Sequence, residues 1–375
     1  MTRGFGLYVH WPFCMAKCPY CDFNSHVSSH IDQSQWQAAF RAEIARVSQD
    51  LPERNLTSVF FGGGTPSLMD PETVDSVITS ARAAWPTAND IEITLEANPT
   101  SVEAGRFRAY AEAGVNRVSI GIQALNDPDL KMLGRLHTAA EARAAFEVAR
   151  KTFPRISFDL IYARQNQTLA NWRAELTEAL DLAADHLSLY QLTIEPGTAF
   201  GDRFARGRLP GLPDEDLAAD MYELTQDMTG AAGLHAYEIS NHAAQDAESR
   251  HNLVYWRAHD WLGVGPGAHG RFTDATGIRI ATEAHAMPSK WLDAVERTGN
   301  GESLRRTLDP REATDEAVMM GLRLSEGVAS DLFDINIKEI NELIDDGFLE
   351  TAGGRVRTTT KGRPLLNAIL RRILA

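Results

Sequence analysis

The chain has 375 residues, 43% hydrophobic and 23% charged, with 37 Lys and Arg against 51 Asp and Glu for a formal net charge of −14. That balance suits a soluble protein with a sizeable core, organised as one large domain and a smaller one or as two of moderate size. No apolar run approaches the ~20 residues needed to span a bilayer, and a chain this acidic is a poor partner for nucleic acid, whose phosphates ask for a local excess of Lys and Arg.

Residues 6–10 read as a short apolar strand running into a loop that holds all three cysteines of the chain, Cys14, Cys18 and Cys21. Residues 35–49 have helical periodicity, with Trp36, Phe40, Ile44 and Val47 on one face. A strand at 57–61 stops at the run Gly62, Gly63, Gly64, Thr65, Pro66, Ser67. A helix at 71–85 follows, then a strand at 91–96 broken by Asn98 and Pro99. Helix 102–113, strand 117–120, helix 139–152, strand 156–162, helix 169–182 and strand 186–193 continue the alternation. This rhythm predicts parallel strands joined by crossover helices, in a barrel or an open doubly wound sheet, with the chemistry at the C-terminal strand ends.

From about residue 201 the rhythm changes. A turn-rich break at 209–213 leads to a helix at 214–228, and the stretch 251–270 is dense in aromatic, histidine and glycine residues. The last segment, from about residue 308, reads as a small helix-rich appendage of winged-helix type with a hairpin across 348–358. Arg355, Arg357, Lys361, Arg363, Arg371 and Arg372 gather there, first as a solvated face and second as a partner-binding surface.

The cysteine spacing, C-x3-C-x2-C, is that of a three-thiolate iron–sulfur site. Three thiolates hold three irons of a cubane and leave the fourth open to another ligand. Disulfides are disfavoured by the odd number and by the lack of a charged-then-apolar segment ahead of the loop. Zinc is the rival, with His10 or His26 as the fourth ligand, although structural zinc sites usually draw two ligand pairs from separate hairpins. Free thiolates and a labile cluster suit a reducing, cytoplasmic setting.

The cysteine loop, with Tyr20 just before Cys21, resembles the radical S-adenosylmethionine superfamily, as do the triple glycine and the strand–helix alternation. Residues 8–12, 18–26, 62–67, 114–123, 133–137 and 190–198 resemble one branch of it. That branch holds the oxygen-independent coproporphyrinogen III oxidase, HemN, and the heme chaperone family, HemW. Phe23 stands where HemN carries a further cysteine, and only seven residues precede Tyr8 where HemN has a long leading segment. His251-Asn252-Leu253-Val254-Tyr255-Trp256 fits the H-N-x-x-Y-W signature of the HemW family.

The resemblance implies an α/β fold with a partial (β/α)6 radical SAM barrel over 1–235 and a connecting region over 236–305 that carries the heme motif. A HemN-type C-terminal domain would cover 306–375. It implies a 4Fe–4S cluster on Cys14, Cys18 and Cys21, with S-adenosylmethionine chelating the open iron beside Tyr8, Gly63 and Glu96. Tyr20 would pack on the adenine. Gly64, Thr65, Gln123, Arg135 and Asp159 match positions around the S-adenosylmethionine sites of HemN, which resembles a two-molecule enzyme. Heme would fall to His251, Tyr255 and Trp256, with His259 and His269 as competing ligands. The implied function is a cytoplasmic heme chaperone that passes heme to an acceptor protein, membrane-associated in one version, and exchanges between monomer and homodimer. The alternative is a radical enzyme that decarboxylates a porphyrinogen propionate.

One departure stands out. The family usually continues Gly-Leu-Pro-x-Gln-Thr after the strand ending at Tyr162, whereas here Ala163, Arg164, Gln165, Asn166, Gln167 and Thr168 follow. Losing glycine and proline alters the backbone of a loop expected to border the adenine, and Arg164 adds positive charge there.

Overall fold

The computed structural model describes residues 4–28, 30–333 and 337–374. Strict alternation along the early strands sorts their side chains onto two faces. The strands are β1 (Phe5–Trp11), β2 (Leu56–Gly63), β3 (Thr87–Ala97), β4 (Arg117–Gln123), β5 (Arg155–Tyr162) and β6 (His186–Gln191). Leu7, Val9, Val59, Phe61, Ile93, Leu95, Val118, Ile120, Phe158, Leu160, Leu187 and Leu189 form the buried layer beneath the helices. The alternate positions, among them Tyr8, Glu96, Ser119, Asp159 and Ser188, give the opposite, concave face an unusually polar lining.

These six strands lie side by side in parallel, and the sheet continues through β7 (His235–Ala236), β8 (Asn241–Ala243), β9 (Asp260–Val264), β10 (His269–Thr273), β11 (Arg279–Ala284) and β12 (Glu302–Thr307). The spatial order is β12-β11-β10-β9-β1-β2-β3-β4-β5-β6-β8-β7. β9 pairs in parallel with β1, opposite β2, so a late segment of the chain extends the parallel run. β8 to β11 fall within 236–305, the stretch expected to carry the connecting region, and join the same sheet on both sides of the parallel run. These strands are short and rich in Gly, His and Trp, which hides their period.

The helix Gln33–Val47 starts where the Asp32 side chain accepts from the Ser34 and Gln35 N–H groups, and it buries Trp36, Phe40, Ile44 and Val47. The helix Ala139–Thr152 begins with a reciprocal capping box between Thr138 and Glu141. The helix expected at 102–113 is two pieces, Ser101–Ala104 and Phe107–Glu112, parted at Gly105 and Arg106. The C-terminal appendage has its own core, including Val318, Leu322, Ile340, Leu343, Ile369 and Ile373, and the expected hairpin forms between Leu349–Ala352 and Arg355–Thr358. Among the described residues no helix is long and apolar enough to cross a membrane.

Candidate cluster and cofactor site

The cysteine loop leaves the C-terminal end of β1 and is closed at its base by a two-residue parallel ladder, Phe13 opposite His26 and Cys14 opposite Val27. The His26 N–H donates to the Pro12 carbonyl at 2.7 Å, and the Cys21 N–H to the Cys18 carbonyl at 3.2 Å. All three thiols are free and partly accessible. Burial pushes the Cys14 and Cys21 thiols up, and the neighbouring thiols push the same way. Among the described residues no three His, Cys, Asp or Glu side chains converge as a single metal ion needs. His10 is already engaged: its Nε2 bonds the Asn24 carbonyl at 2.9 Å and its Nδ1 the Tyr8 hydroxyl at 3.0 Å. A carbonyl only accepts, so the His10 proton sits on Nε2 and Tyr8 donates to Nδ1. The arrangement fits a cubane spread across three thiolates better than a zinc set completed by His10.

The glycine run braces this loop. Gly64 N–H donates to the Trp11 carbonyl at 2.7 Å and Thr65 N–H to the Phe13 carbonyl at 2.8 Å. Gly63 has φ +111°, and a Cβ there would lie 2.6 Å from the His10 ring; a Cβ on Gly64 would lie 2.6 Å from the Phe13 carbonyl oxygen. Both positions therefore exclude a side chain.

Two thiols are linked through a chain of donors. Thr65 Oγ1 donates to Cys14 Sγ at 3.4 Å, and Asn98 Nδ2 donates to Thr65 Oγ1 at 3.2 Å. Arg135 Nη2 donates to Asn98 Oδ1 at 2.6 Å and to the Gly121 carbonyl at 2.8 Å, while its Nη1 reaches Cys18 Sγ at 3.4 Å. Thr65 and Arg135 were both singled out in the sequence; Asn98, which joins them, was not. Donors aimed at sulfur favour its anionic form, the state a cluster requires. Tyr20 lies at the Cys18 and Arg135 side of the loop, with its ring 6.4 Å from that of Phe200.

On the concave face Tyr8, Glu96 and Asp159 stand below the loop. Burial and the Asp159 charge raise Glu96 to about 8, against a hydrogen bond from the Gly63 N–H that favours the carboxylate. Burial raises Asp159 to about 6, opposed by the hydroxyls of Ser188 and Ser119. Two half-buried acids held partly protonated would relax toward their ionised forms beside a cation. S-adenosylmethionine carries a sulfonium and an ammonium, so the donor set fits it. Gln123 ends β4 with φ +73°, a backbone state seldom taken by residues other than glycine and often found at ligand sites.

The H-N-x-x-Y-W motif lies toward the N-terminal ends of the same strands, beneath the concave face, with the His251 ring 6.4 Å from that of Tyr8. The helix Arg250–Trp256 is capped by Ser249, whose side chain accepts from the Asn252 N–H. It packs on the N-terminal ends of β1 and β2. His251 is 0% exposed. Its Nδ1 meets Ser58 Oγ at 2.9 Å and its Nε2 the Tyr255 hydroxyl at 2.7 Å. Its ring stacks on Phe60 with centroids 5.1 Å apart. Trp256 turns elsewhere, packing with Tyr237, Ala247 and Leu324 and under the Arg323 guanidinium. The motif's three aromatic side chains thus do not share one pocket. His259 accepts from the Gly4 N–H through Nδ1 at 3.1 Å.

Arg164 also departs from expectation. It is 3% exposed and bonds Asp129 at 2.6 Å and Glu175 at 2.5 Å, so its charge is neutralised inside the fold. Ala163 before it keeps a left-handed backbone, φ +56°, where the family has glycine.

The Radical SAM superfamily matches residues 8–177, and the HemN C-terminal domain matches residues 308–365. The chain is 38% identical over 386 residues to the mitochondrial radical S-adenosyl methionine domain-containing protein 1 of Bos taurus, spanning 98% of this chain and 87% of that protein. It is 35% identical over 379 residues to the heme chaperone HemW of Escherichia coli, spanning 98% of each. The structure of coproporphyrinogen III oxidase HemN from Escherichia coli, a radical SAM enzyme, superposes with a TM-score of 0.82 at 22% identity, over 99% of this chain and 90% of that one, which is a likeness of fold. Matched end to end with such relatives, the chain belongs to the heme chaperone HemW family of radical SAM proteins.

Proposed function

We propose that the protein is a heme chaperone: it holds a 4Fe–4S cluster on Cys14, Cys18 and Cys21 with S-adenosylmethionine on the open iron, and hands heme to an acceptor protein. The observation that carries this reading is the end-to-end likeness to the Escherichia coli heme chaperone, 98% of each chain. When bound, the cluster supplies an electron to the sulfonium cofactor. The chain's own residues do the rest. Thr65 and Arg135 steady the sulfurs, Gly63 and Gly64 let the backbone approach closely, and Tyr8, Glu96, Gln123 and Asp159 line the space below. Tyr20 closes its side.

The oxidase alternative fits the concave face less well. A porphyrinogen with four propionates would meet the carboxyl groups of Glu96 and Asp159. The nearby cations are committed, Arg135 to Asn98 and Cys18, and Arg117 to Glu92 at 3.3 Å. Heme on His251 would require one ring nitrogen to exchange its present partner, Ser58 on Nδ1 or Tyr255 on Nε2.

Anaerobic reconstitution with iron, sulfide and S-adenosylmethionine, followed by heme or coproporphyrinogen III, tests the function. Stoichiometric heme retention without protoporphyrinogen formation supports the chaperone. Turnover of coproporphyrinogen III sinks it, and bound zinc in place of iron and sulfide overturns the cluster as well.

A further inference from the structure

The helix Arg250–Trp256 closes the floor of the concave face, and the imidazole it inserts there is walled in on one side only. Gly6 on β1 stands beside Ser58 on β2 in the strand register. A Cβ on Gly6 would lie 3.0 Å from His251 Nδ1 and Cε1 and from Ser58 Oγ, so the ring fills the place a side chain would take. Ser58 is itself 0% exposed. Glu92 fixes the helix over this pocket, its Oε1 accepting from the N–H groups of Arg250 at 2.9 Å and His251 at 3.4 Å. A ligand could reach Nδ1 only by parting the helix from the strands.

The other ring nitrogen looks the opposite way. Among the described residues Nε2 meets the Tyr255 hydroxyl alone, and Tyr255, unlike His251, is partly exposed. Burial, with Tyr8 and Glu96 of the concave face as neighbours, keeps that hydroxyl protonated. A turn of this one side chain opens Nε2 toward the concave face.

The contact lengths point to one tautomer. Nδ1 lies 2.9 Å from Ser58 Oγ, the usual length for an N–H donor to oxygen, whereas Nε2 lies 2.7 Å from the Tyr255 oxygen, the length typical of a hydroxyl donor. Ser58 then accepts from Nδ1, and Tyr255 donates to an Nε2 that keeps its lone pair. A histidine that gives its second N–H to a protein oxygen is set for metal, because the ring is oriented and the free nitrogen made more basic. Ser58 supplies that support from 193 positions away, outside the H-N-x-x-Y-W motif.

We propose that Ser58 is the positioning residue of the heme ligand: it holds the Nδ1 proton of His251, so that Nε2 takes the iron from the concave side when the Tyr255 hydroxyl turns aside. The inference rests on the heme-chaperone reading with His251 as ligand. It deepens that reading by naming the ligand atom, the side of approach and the group behind it.

Two measurements test it. Long-range proton–nitrogen NMR of histidine-labelled apo protein should find the His251 proton on Nδ1, the signal being identified by its loss in His251→Ala. Cluster-reconstituted full-length protein is then titrated anaerobically with hemin, with retained heme counted as pyridine hemochrome and the Soret band and heme midpoint potential recorded. Ser58→Ala should weaken retention about tenfold and raise the potential, because a less basic imidazole favours ferric iron less. Ser58→Thr keeps the hydroxyl and should restore both. Cluster iron and sulfide in Ser58→Ala should match the parent's, which an unfolded variant could not achieve. The cysteine loop is pinned at the other end of the strands, where Asn24 Nδ2 donates to the carbonyls of Pro266 and Ala286, both at 2.9 Å. A proton on Nε2 in the apo protein, or parental retention and potential in Ser58→Ala, overturns the inference and leaves the chaperone reading intact. Heme retained with an unchanged Soret band in His251→Ala does the same. A parent protein that retains no heme overturns both.

Discussion

Asn98→Ala offers a direct trial of the hydrogen-bond chain that spans the cluster loop. The substitution removes the acceptor for Arg135 Nη2 at 2.6 Å and the donor to Thr65 Oγ1 at 3.2 Å. The first is charge-assisted and contributes about 1.5–3 kcal/mol, the second about 0.5–1.5 kcal/mol. Arg135 Nε already has no partner, so the guanidinium would be left with the Gly121 carbonyl and Cys18. A loss of about 2–4 kcal/mol in the urea unfolding of apo protein is therefore expected. Iron content after anaerobic reconstitution should fall in parallel, because Cys14 and Cys18 lose their common brace. Asn98→Asp keeps the acceptor for Arg135 and forfeits only the donor to Thr65, so most of the loss should be recovered. An alanine variant within about 0.5 kcal/mol of the parent and with normal iron would refute the reasoning, since it would mean that Thr65 and Arg135 hold the thiols without a link between them.

Other consequences are as open to measurement. Burial drives the His251 imidazole down to about 3, whereas an unfolded histidine titrates near ~6.5. The folded state therefore binds fewer protons, and stability present above about pH 6.5 is lost as pH falls toward 3, by up to about 4–5 kcal/mol. His251→Phe should flatten that arm of the urea-midpoint profile, and an unaltered acid slope would show that other groups set it. Gly63→Ala must strain a φ of +111° and push a Cβ into the His10 ring. We expect a stability loss of about 2–4 kcal/mol and poor cluster loading, and a melting temperature like the parent's would be incompatible with the turn described. The buried Glu43 carboxylate accepts from the N–H groups of Gly265, Gly301 and Trp291. Glu43→Gln would turn an amide NH2 toward one of these donors and should cost about 1–3 kcal/mol, followed by Trp fluorescence in denaturant.

What could be read from sequence was mostly local. The cysteine spacing, the glycine run and the alternating strands lie within short windows, and helices such as Ala139–Thr152 and Leu169–Leu182 have the bounds their periodicity predicts. Asn98 was legible only as a strand terminator, because its role arises where the end of β3 meets a side chain 37 positions later. His251 carried a motif but no sign of its burial, since the seven-residue helix Arg250–Trp256 is too short to show a face. Arg164 looked like a charge beside the nucleotide; its partner Glu175 lies on the following helix, 11 residues on, and draws it inward. Strands β9 to β12 escaped because runs of five or six residues with mixed polar and apolar side chains carry little period.

The anchoring of Asn24 has a consequence for how the protein is made. Its amide grips carbonyls 242 and 262 residues further along the chain. At elongation rates of about 5–20 residues per second, roughly 10–50 s separate synthesis of the thiols from synthesis of those carbonyls. Cluster insertion during that interval would act on an uncapped loop, open to oxygen and to competing metals. Insertion after release would find the loop pinned from both sides.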